Sequence, residues 1–303
     1  MAGGSGSRLY PLTIATSKQM LPVYDKPMVY YPLSTVMSAG VTDVLVITSK
    51  EYLHSYQTLL HDGSQFGISI RYAVQSNPKG IADAYRVGAR FVEGQPSILV
   101  LGDNIFYGEE FDCTISALRN TRGATIFAYR VEEPERFGVV QFDASFKVIS
   151  LEEKPSRPKS NWAATGLYLF DHQVTEIAAR LQPSARGELE ITDVNRVYLS
   201  RGELNAKALS DRNVWWDTGT PRSLHEAGDF VASLEAEKGI KIGCPEEIAL
   251  RHNLISVSDL ERWMARLKPS DYLNYLKRLA DQASSPLSSP TPSGQNNLPR
   301  PSP

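Results

Sequence analysis

Short runs of consecutive apolar residues alternate along this chain with stretches whose apolar positions recur every three or four residues. The first pattern marks buried strands and the second marks helices packed through one face. Val29, Leu33, Val36 and Met37 fall on one helical face that ends at Gly40. VLVIT at 44–48 then reads as a fully buried strand, and a second strand covers 68–74. A helix follows Gly80 through 81–92, and SILVL at 97–101 is another continuous apolar strand, leading straight into Gly102-Asp103-Asn104. Further strands are expected at 125–131, 139–142, 148–151 and 163–170. Helices are expected at 174–181, 192–200 and 221–237, the last with Leu224, Ala227, Gly228, Val231 and Leu234 on one side. This alternation implies an α/β fold with a mostly parallel, mixed sheet and helices on both faces. Ligands in such folds sit beyond the carboxyl ends of the strands, which places Asp103 in a cleft.

The pattern changes at Cys244. From there to about Asp281 the segments CPEEIALR, SVSDLERWMARL and SDYLNYLKRLA read as short helices with no strand between them. Pro245 with two acids opens one, and serines able to cap open the others. The expected organisation is a catalytic domain at 1–243, a small helical subdomain at 244–283 and a Pro/Ser-rich tail at 284–303. That tail holds six of the 19 prolines and hardly any large apolar residue, so it is expected to be disordered.

Composition narrows the function classes. The 303 residues, 42% hydrophobic and 22% charged, suit a soluble protein with a substantial core, and the apolar runs are too short for a membrane span. A formal charge of -2 argues against a general nucleic-acid-binding surface, so any polyanion would be met at a local site. Cys113 and Cys244 lack metal-ligand spacing. With no signal segment evident, the cytoplasm is the expected compartment.

The chemistry-bearing residues begin at once. In MAGGSGSRL, Gly3, Gly4, Gly6 and two serines leave a backbone that can turn tightly and offer several N–H groups to an anion, with the guanidinium of Arg8 beside it. Such a loop normally follows a buried strand, and on this pattern that first strand is missing. A short apolar N-terminal extension is therefore expected to raise stability and activity. Lys18, restrained by a Gln-Met-Leu-Pro turn, is a second candidate phosphate ligand, although a lone surface lysine is usually just solvated. Asp103 in LVLGD and Asp217 in VWWDTG each follow an apolar stretch. Either can be a turn residue, and two acids facing one cleft can instead hold Mg²⁺. Glu152, Glu153 and Lys154 make either a solvated charge cluster or a sugar-phosphate site. Gln75 and Gly80 flank a candidate nucleobase slot, where an amide offers both a donor and an acceptor to an imide edge.

GGSGSRLYPLT followed by SKQMLPVYDKPMVYYPLS resembles the signature of the sugar nucleotidyltransferases, in the branch that acts on glucose 1-phosphate with dTTP. LGDNIFYG, ERFGVVQF, SLEEKPSRPKSN, TGLYLFD, RGELEITDVN, WWDTGT and CPEEIA continue the resemblance in order, from Ala2 to about Asp281. It implies a Rossmann-like nucleotidyltransferase fold. The implied reaction converts dTTP and glucose 1-phosphate to dTDP-glucose and pyrophosphate, at the entry to dTDP-rhamnose and other deoxysugars. By the same resemblance Gly3, Gly4, Ser5, Gly6 and Arg8 would hold the triphosphate, with Arg8 and Lys18 on the departing pyrophosphate. Gln75 and Gly80 would read thymine, Asp103 and Asp217 would bind Mg²⁺, and Glu153 and Lys154 would hold the sugar and its phosphate. Gly138, Thr165, Gly166 and Arg186 resemble further sugar-pocket positions, and Phe137 stands where the family pattern has Tyr. A homotetramer with an end-product site near Gly108 and CPEEIALR is also implied. One methyl group separates thymine from uracil, worth about 1 kcal/mol, so some use of UTP is expected. The alternatives are a uridylyltransferase, a homologue that binds sugar nucleotides without turnover, and a dinucleotide-dependent oxidoreductase with Asp25 on the ribose.

Overall fold

The computed structural model describes residues 1–4, 6–108, 111, 114–115 and 122–284. The Pro/Ser-rich segment from 285 onward lies outside them, as does Ser5. A small hairpin, β1 (Pro22–Val23) and β2 (Lys26–Pro27), precedes helix α1 (Tyr30–Ser38). Pro32 is tolerated in α1 because the first-turn N–H groups have no intrahelical partner, and the helix stops at Gly40, whose φ is +77°. Every residue of α1 is buried, so it acts as a core helix rather than a surface one.

Next come β3 (Asp43–Thr48), α2 (Leu53–Leu60) and β4 (Ser69–Val74), with β3 and β4 paired in parallel. The helix expected at 81–92 is split into α3 (Asp83–Val87) and α4 (Ala89–Val92) at Gly88. A Cβ there would lie 3.0 Å from the Ala84 carbonyl oxygen and 3.1 Å from Leu45 Cδ2. Then follow β5 (Ser97–Val100), β6 (Asn104–Tyr107), β7 (Ala124–Arg130), β8 (Gly138–Phe142), β9 (Val148–Glu153) and β10 (Trp162–Phe170). Helices α5 (Val174–Arg180) and α6 (Ile191–Ser200), strands β11 (Leu204–Ala208) and β12 (Val214–Asp217), and helix α7 (Pro221–Lys238) complete the α/β body. Thr220 and Ser223 form a capping box at the start of α7, and Gly239 at φ +66° ends it.

The largest sheet runs β11-β7-β10-β8-β9, with β5 also on β10. It is mixed, as expected, but the parallel share is smaller than the strand–helix alternation suggests. β11 lies parallel to β7, whereas β10 pairs antiparallel with β5, β7 and β8. Strands that are hydrophobic on both faces do not reveal their direction in the sequence. The last helices, α8 (Pro245–Arg251), α9 (Val257–Met264) and α10 (Asp271–Ser284), share one core with α1, α2 and β4 through Ala249, Leu260, Tyr275, Leu276 and Phe66. No helix among the described residues is long and apolar enough to cross a membrane.

Two features of the packing stand out. A cavity of about 590 Å³ separates β3 from β5, lined mainly by apolar side chains such as Leu33, Val46, Leu60, Ile98 and Val100. Met1 and Ala2 close one end. Ala2 N–H donates to the Ile47 carbonyl (2.7 Å), the Met1 amine to the Val100 carbonyl (2.8 Å), and Gly102 N–H to the Met1 carbonyl (2.8 Å).

The second feature is a buried charge network tying the β1–β2 turn to the end of α7. Lys26 Nζ meets Asp25 at 2.6 Å and Glu235 at 2.9 Å, and Lys241 meets Glu235 at 2.7 Å and also pairs with Asp25. Burial pushes the Asp25 carboxyl up, but the two lysines outweigh it and hold the group below its ordinary range. Breaking one member of a buried pair strands its partner. Glu235→Gln should therefore lower stability by about 3 kcal/mol, measured by urea unfolding. A loss below about 1 kcal/mol would mean that Asp25 alone satisfies both lysines.

Candidate active site

The site is built around the turn between β5 and β6. That turn is tight: a Cβ on Gly102 would stand 2.8 Å from Gln19 Cγ and 2.9 Å from the Met1 carbonyl oxygen. Asp103 follows it. β6 pairs antiparallel with β12 so that Asn104 lies opposite Asp217. Thr218 clamps the junction, donating to the Asp103 carbonyl from its N–H (3.0 Å) and its hydroxyl (2.8 Å). Two carboxylates far apart in sequence are thus made neighbours by one strand pairing.

Asn104 fixes the surroundings. Its Oδ1 accepts from Gly166 N–H (3.0 Å) and Trp215 Nε1 (2.6 Å), and its Nδ2 donates to Asp103 Oδ1 (3.1 Å). The close approach of β10 requires glycine at 166, because a Cβ there would lie 2.5 Å from Asn104 Oδ1.

The electrostatics divide the two acids. Burial pushes the Asp103 carboxyl up, but the paired Lys18 ammonium and the Asn104 hydrogen bond bring it below its ordinary range. Asp217 goes the other way, raised by burial and by the Asp103 charge against the opposing pull of Arg8, Lys18 and Arg136. Arg8 lies across Gly219. A Cβ at that glycine would be 2.6 Å from the Arg8 guanidinium and 3.0 Å from Asp217 Oδ1.

One side of the cleft is polar and suited to a flat ring. Gln75 is buried, its Nε2 donating to Asp83 Oδ2 (2.8 Å), with the Gly80 carbonyl at 3.4 Å. Its Oε1 has no partner and faces Gly3, whose Cβ would lie 2.9 Å from it. Gly80 takes φ +99° and packs so closely on Leu189 that a Cβ would sit 2.4 Å from the Leu189 carbonyl oxygen.

The opposite side is set by the end of β9. Glu153 Oε2 accepts from the Thr192 hydroxyl (2.5 Å), and Arg186 and Lys154 approach Oε1 at 3.4 and 3.8 Å. Lys154 turns out of the strand at φ +41°, held by its N–H bond to the Phe137 carbonyl (2.9 Å). Glu190 stands behind, its carboxyl pushed up by burial and by Glu153, while Ser184 and Arg186 pull it down.

Gly3, Gly4, Arg8, Lys18, Gln75, Gly80, Asp103, Gly138, Glu153, Lys154, Gly166 and Asp217 all line one cleft of about 320 Å³. Gly6 stands off it, opening the Ser7–Leu9 turn at φ +62°. Thr165 is fully buried with its hydroxyl unpartnered. On β10 it alternates with Ala164 and Gly166, which line the cleft, and so turns to the other face. Arg186 is a half-exposed rim residue. Phe137 lines the cleft, edge-on to Trp215 with centroids 5.3 Å apart.

Asn104, Arg136, Thr192 and Trp215 also line the cleft and Gly219 borders it, none of them marked by the sequence patterns. Asn104, Trp215 and Gly219 lie within the LGDN and WWDTGT motifs, so proximity to a selected acid was their available signal. The larger β3–β5 cavity carries none of these polar groups.

The arrangement offers a glycine-rich anion cradle, the cations Arg8, Lys18, Arg136 and Lys154, a pair of carboxylates and a polar sugar-sized pocket. Hard carboxylate oxygens at Asp103 and Asp217, crowded enough to raise one of them, fit a small divalent cation whose remaining positions go to water and phosphate. Among the described residues no cluster of three or more His, Cys, Asp or Glu is present.

A family profile described as Nucleotidyl transferase matches residues 1–233. A glucose-1-phosphate thymidylyltransferase of Neisseria meningitidis is 53% identical over 280 residues, covering 92% of this chain and 97% of the relative. One from Mycolicibacterium smegmatis is 49% identical, covering 93% and 98%. Among solved structures, a Bacillus anthracis protein assigned as a glucose-1-phosphate thymidylyltransferase, in complex with sucrose, is 41% identical. It superposes with a TM-score of 0.70 over 76% of this chain and 92% of that one.

Proposed function

The chain belongs to the nucleotidyl transferase family, and from that premise we propose how its cleft works. It transfers a thymidylyl group from dTTP to glucose 1-phosphate, giving dTDP-glucose and pyrophosphate. The observation that best supports this cleft as the reaction site is the convergence of Arg8, Lys18, Asp103 and Asp217 beside a glycine-rich loop.

The sugar phosphate is already a nucleophile, so no general base is needed. A phosphate oxygen of glucose 1-phosphate forms a bond to the α-phosphorus, and the bond from that phosphorus to the bridging oxygen of the pyrophosphate breaks. The difficulty is bringing two anions together in line. Gly3 and Gly4 hold the triphosphate through backbone N–H groups, and Arg8 and Lys18 neutralise the charge that grows on the leaving group. Lys154 and Arg186 face the sugar phosphate, and Glu153, oriented by Thr192, accepts from sugar hydroxyls. Asp103 and Asp217 would hold Mg²⁺, which supplies positive charge to the phosphate oxygens when bound. The resemblance in sequence also supports a cytoplasmic homotetramer that feeds deoxysugar synthesis.

Incubation with glucose 1-phosphate, dTTP and Mg²⁺ should release pyrophosphate. Binding of both substrates without release would favour a non-catalytic homologue. Chelation by EDTA should slow the reaction at least about 100-fold, with recovery on adding Mg²⁺. Undiminished turnover without divalent cations would remove the metal from this proposal.

A further inference from the structure

Gln75 has a chemically forced orientation. A carboxylate can only accept hydrogen bonds, so the contact at 2.8 Å from Asp83 Oδ2 must be made by the amide NH₂. The Gly80 carbonyl, also only an acceptor, stands on the same side of the amide at 3.4 Å. The amide oxygen is therefore left toward the cleft, buried and unpartnered beside Gly3. A buried acceptor without a donor is costly, and the structure leaves it where a ligand can supply one.

We propose that Asp83, on α3, is a positioning residue for pyrimidine choice: by holding the Gln75 amide it presents an acceptor, and only an acceptor, to the base. The inference rests on the reading of Gln75 and Gly80 as the base subsite. Thymine and uracil carry a donor at N3 and satisfy Oε1. Cytosine carries a lone pair at N3 and sets acceptor against acceptor. Were the amide free to rotate by half a turn, its NH₂ would suit cytosine equally well. The discrimination thus resides in Asp83, which sits outside the cleft lining, as much as in the glutamine that touches the base.

The test compares kcat/KM for dTTP and dCTP in the wild type, Asp83→Ala, Asp83→Asn and Gln75→Ala, with thermal midpoints recorded alongside. Asp83→Ala should narrow the dTTP:dCTP ratio by about tenfold or more, through a higher KM for dTTP and a lower one for dCTP, with kcat on saturating dTTP within about threefold of wild type. Asp83→Asn keeps an acceptor in place and should fall between. A folded Asp83→Ala with the wild-type ratio overturns the proposal. If that variant does not fold, a wild-type ratio in a folded Asp83→Leu, which likewise offers no acceptor, does the same. Gln75→Ala separates the two levels. An unchanged ratio there sinks the base subsite itself, whereas a narrowed ratio there with none at Asp83 sinks only the role of Asp83.

Discussion

Asp217→Asn is expected to lower the rate of dTDP-glucose formation by about 10³-fold while leaving the protein at least as stable as before. The activity loss follows from removing one of two hard oxygen ligands where phosphate charge must be neutralised. The stability result follows from the electrostatics. The Asp217 carboxyl is raised by burial and by its neighbour Asp103, so its charged form is already disfavoured in the folded state, and a neutral amide removes that burden. Asp103→Asn should lose comparable activity but behave differently in unfolding. It takes away the partner of Lys18, whose side chain is only 15% exposed, and should lower the thermal midpoint. Full turnover by both variants at saturating Mg²⁺ would remove the two acids from the metal site.

The second large effect is expected at Lys18. Its 3-10 turn, Lys18–Met20, aims the ammonium at Asp103, and a Cβ on Gly4 would lie 3.9 Å from Lys18 Cε. Lys18→Met keeps most of the side-chain bulk and deletes the charge. Because the leaving pyrophosphate gains charge in the transition state, the loss should fall on kcat, by about 10³-fold, with KM for dTTP changing far less. Lys18→Arg should recover part of the rate, since it restores charge with a different donor geometry. A loss confined to KM would instead make Lys18 a uniform binding contact.

Local signals carried much of this site. The apolar run of β5 pointed at Asp103 because a buried strand must end at a loop, and the ligand-binding edge of an α/β sheet lies there. The spacing of Val29, Leu33, Val36 and Met37 gave α1, and the MAGGSGSRL run announced a backbone free to approach an anion. What stayed hidden depends on long-range pairing. Nothing in VWWDTG says that β12 will lie antiparallel to β6, yet that register alone brings Asp217 beside Asp103. Asn104 ties its neighbour Asp103 to two groups far from it in the chain, Gly166 on β10 and Trp215 on β12. Thr165 shows the converse error. It shares a motif with Gly166, but strand alternation sends neighbouring side chains to opposite faces. The short strands β1, β2, β6, β11 and β12 went unread because none carries a continuous apolar run as long as the one that marked β5.

The gap between β3 and β5 divides the molecule's cooperativity. The β3/β4 pair joins the larger sheet by backbone bonds at Met1 and Ala2, and along the rest of the gap lies the cavity, with Val46, Ile98 and Val100 in its lining. A continuous ladder holds two strands along their whole length, whereas a cavity leaves few contacts to lose when its walls separate. β3 and β4, with α2 and the C-terminal helices that share their core, therefore form a unit able to open at lower free energy than the β7–β10 centre. Amide exchange would register it as a separate foldon, and since Gly102 N–H donates to the Met1 carbonyl, each such opening is expected to disturb the turn that carries Asp103.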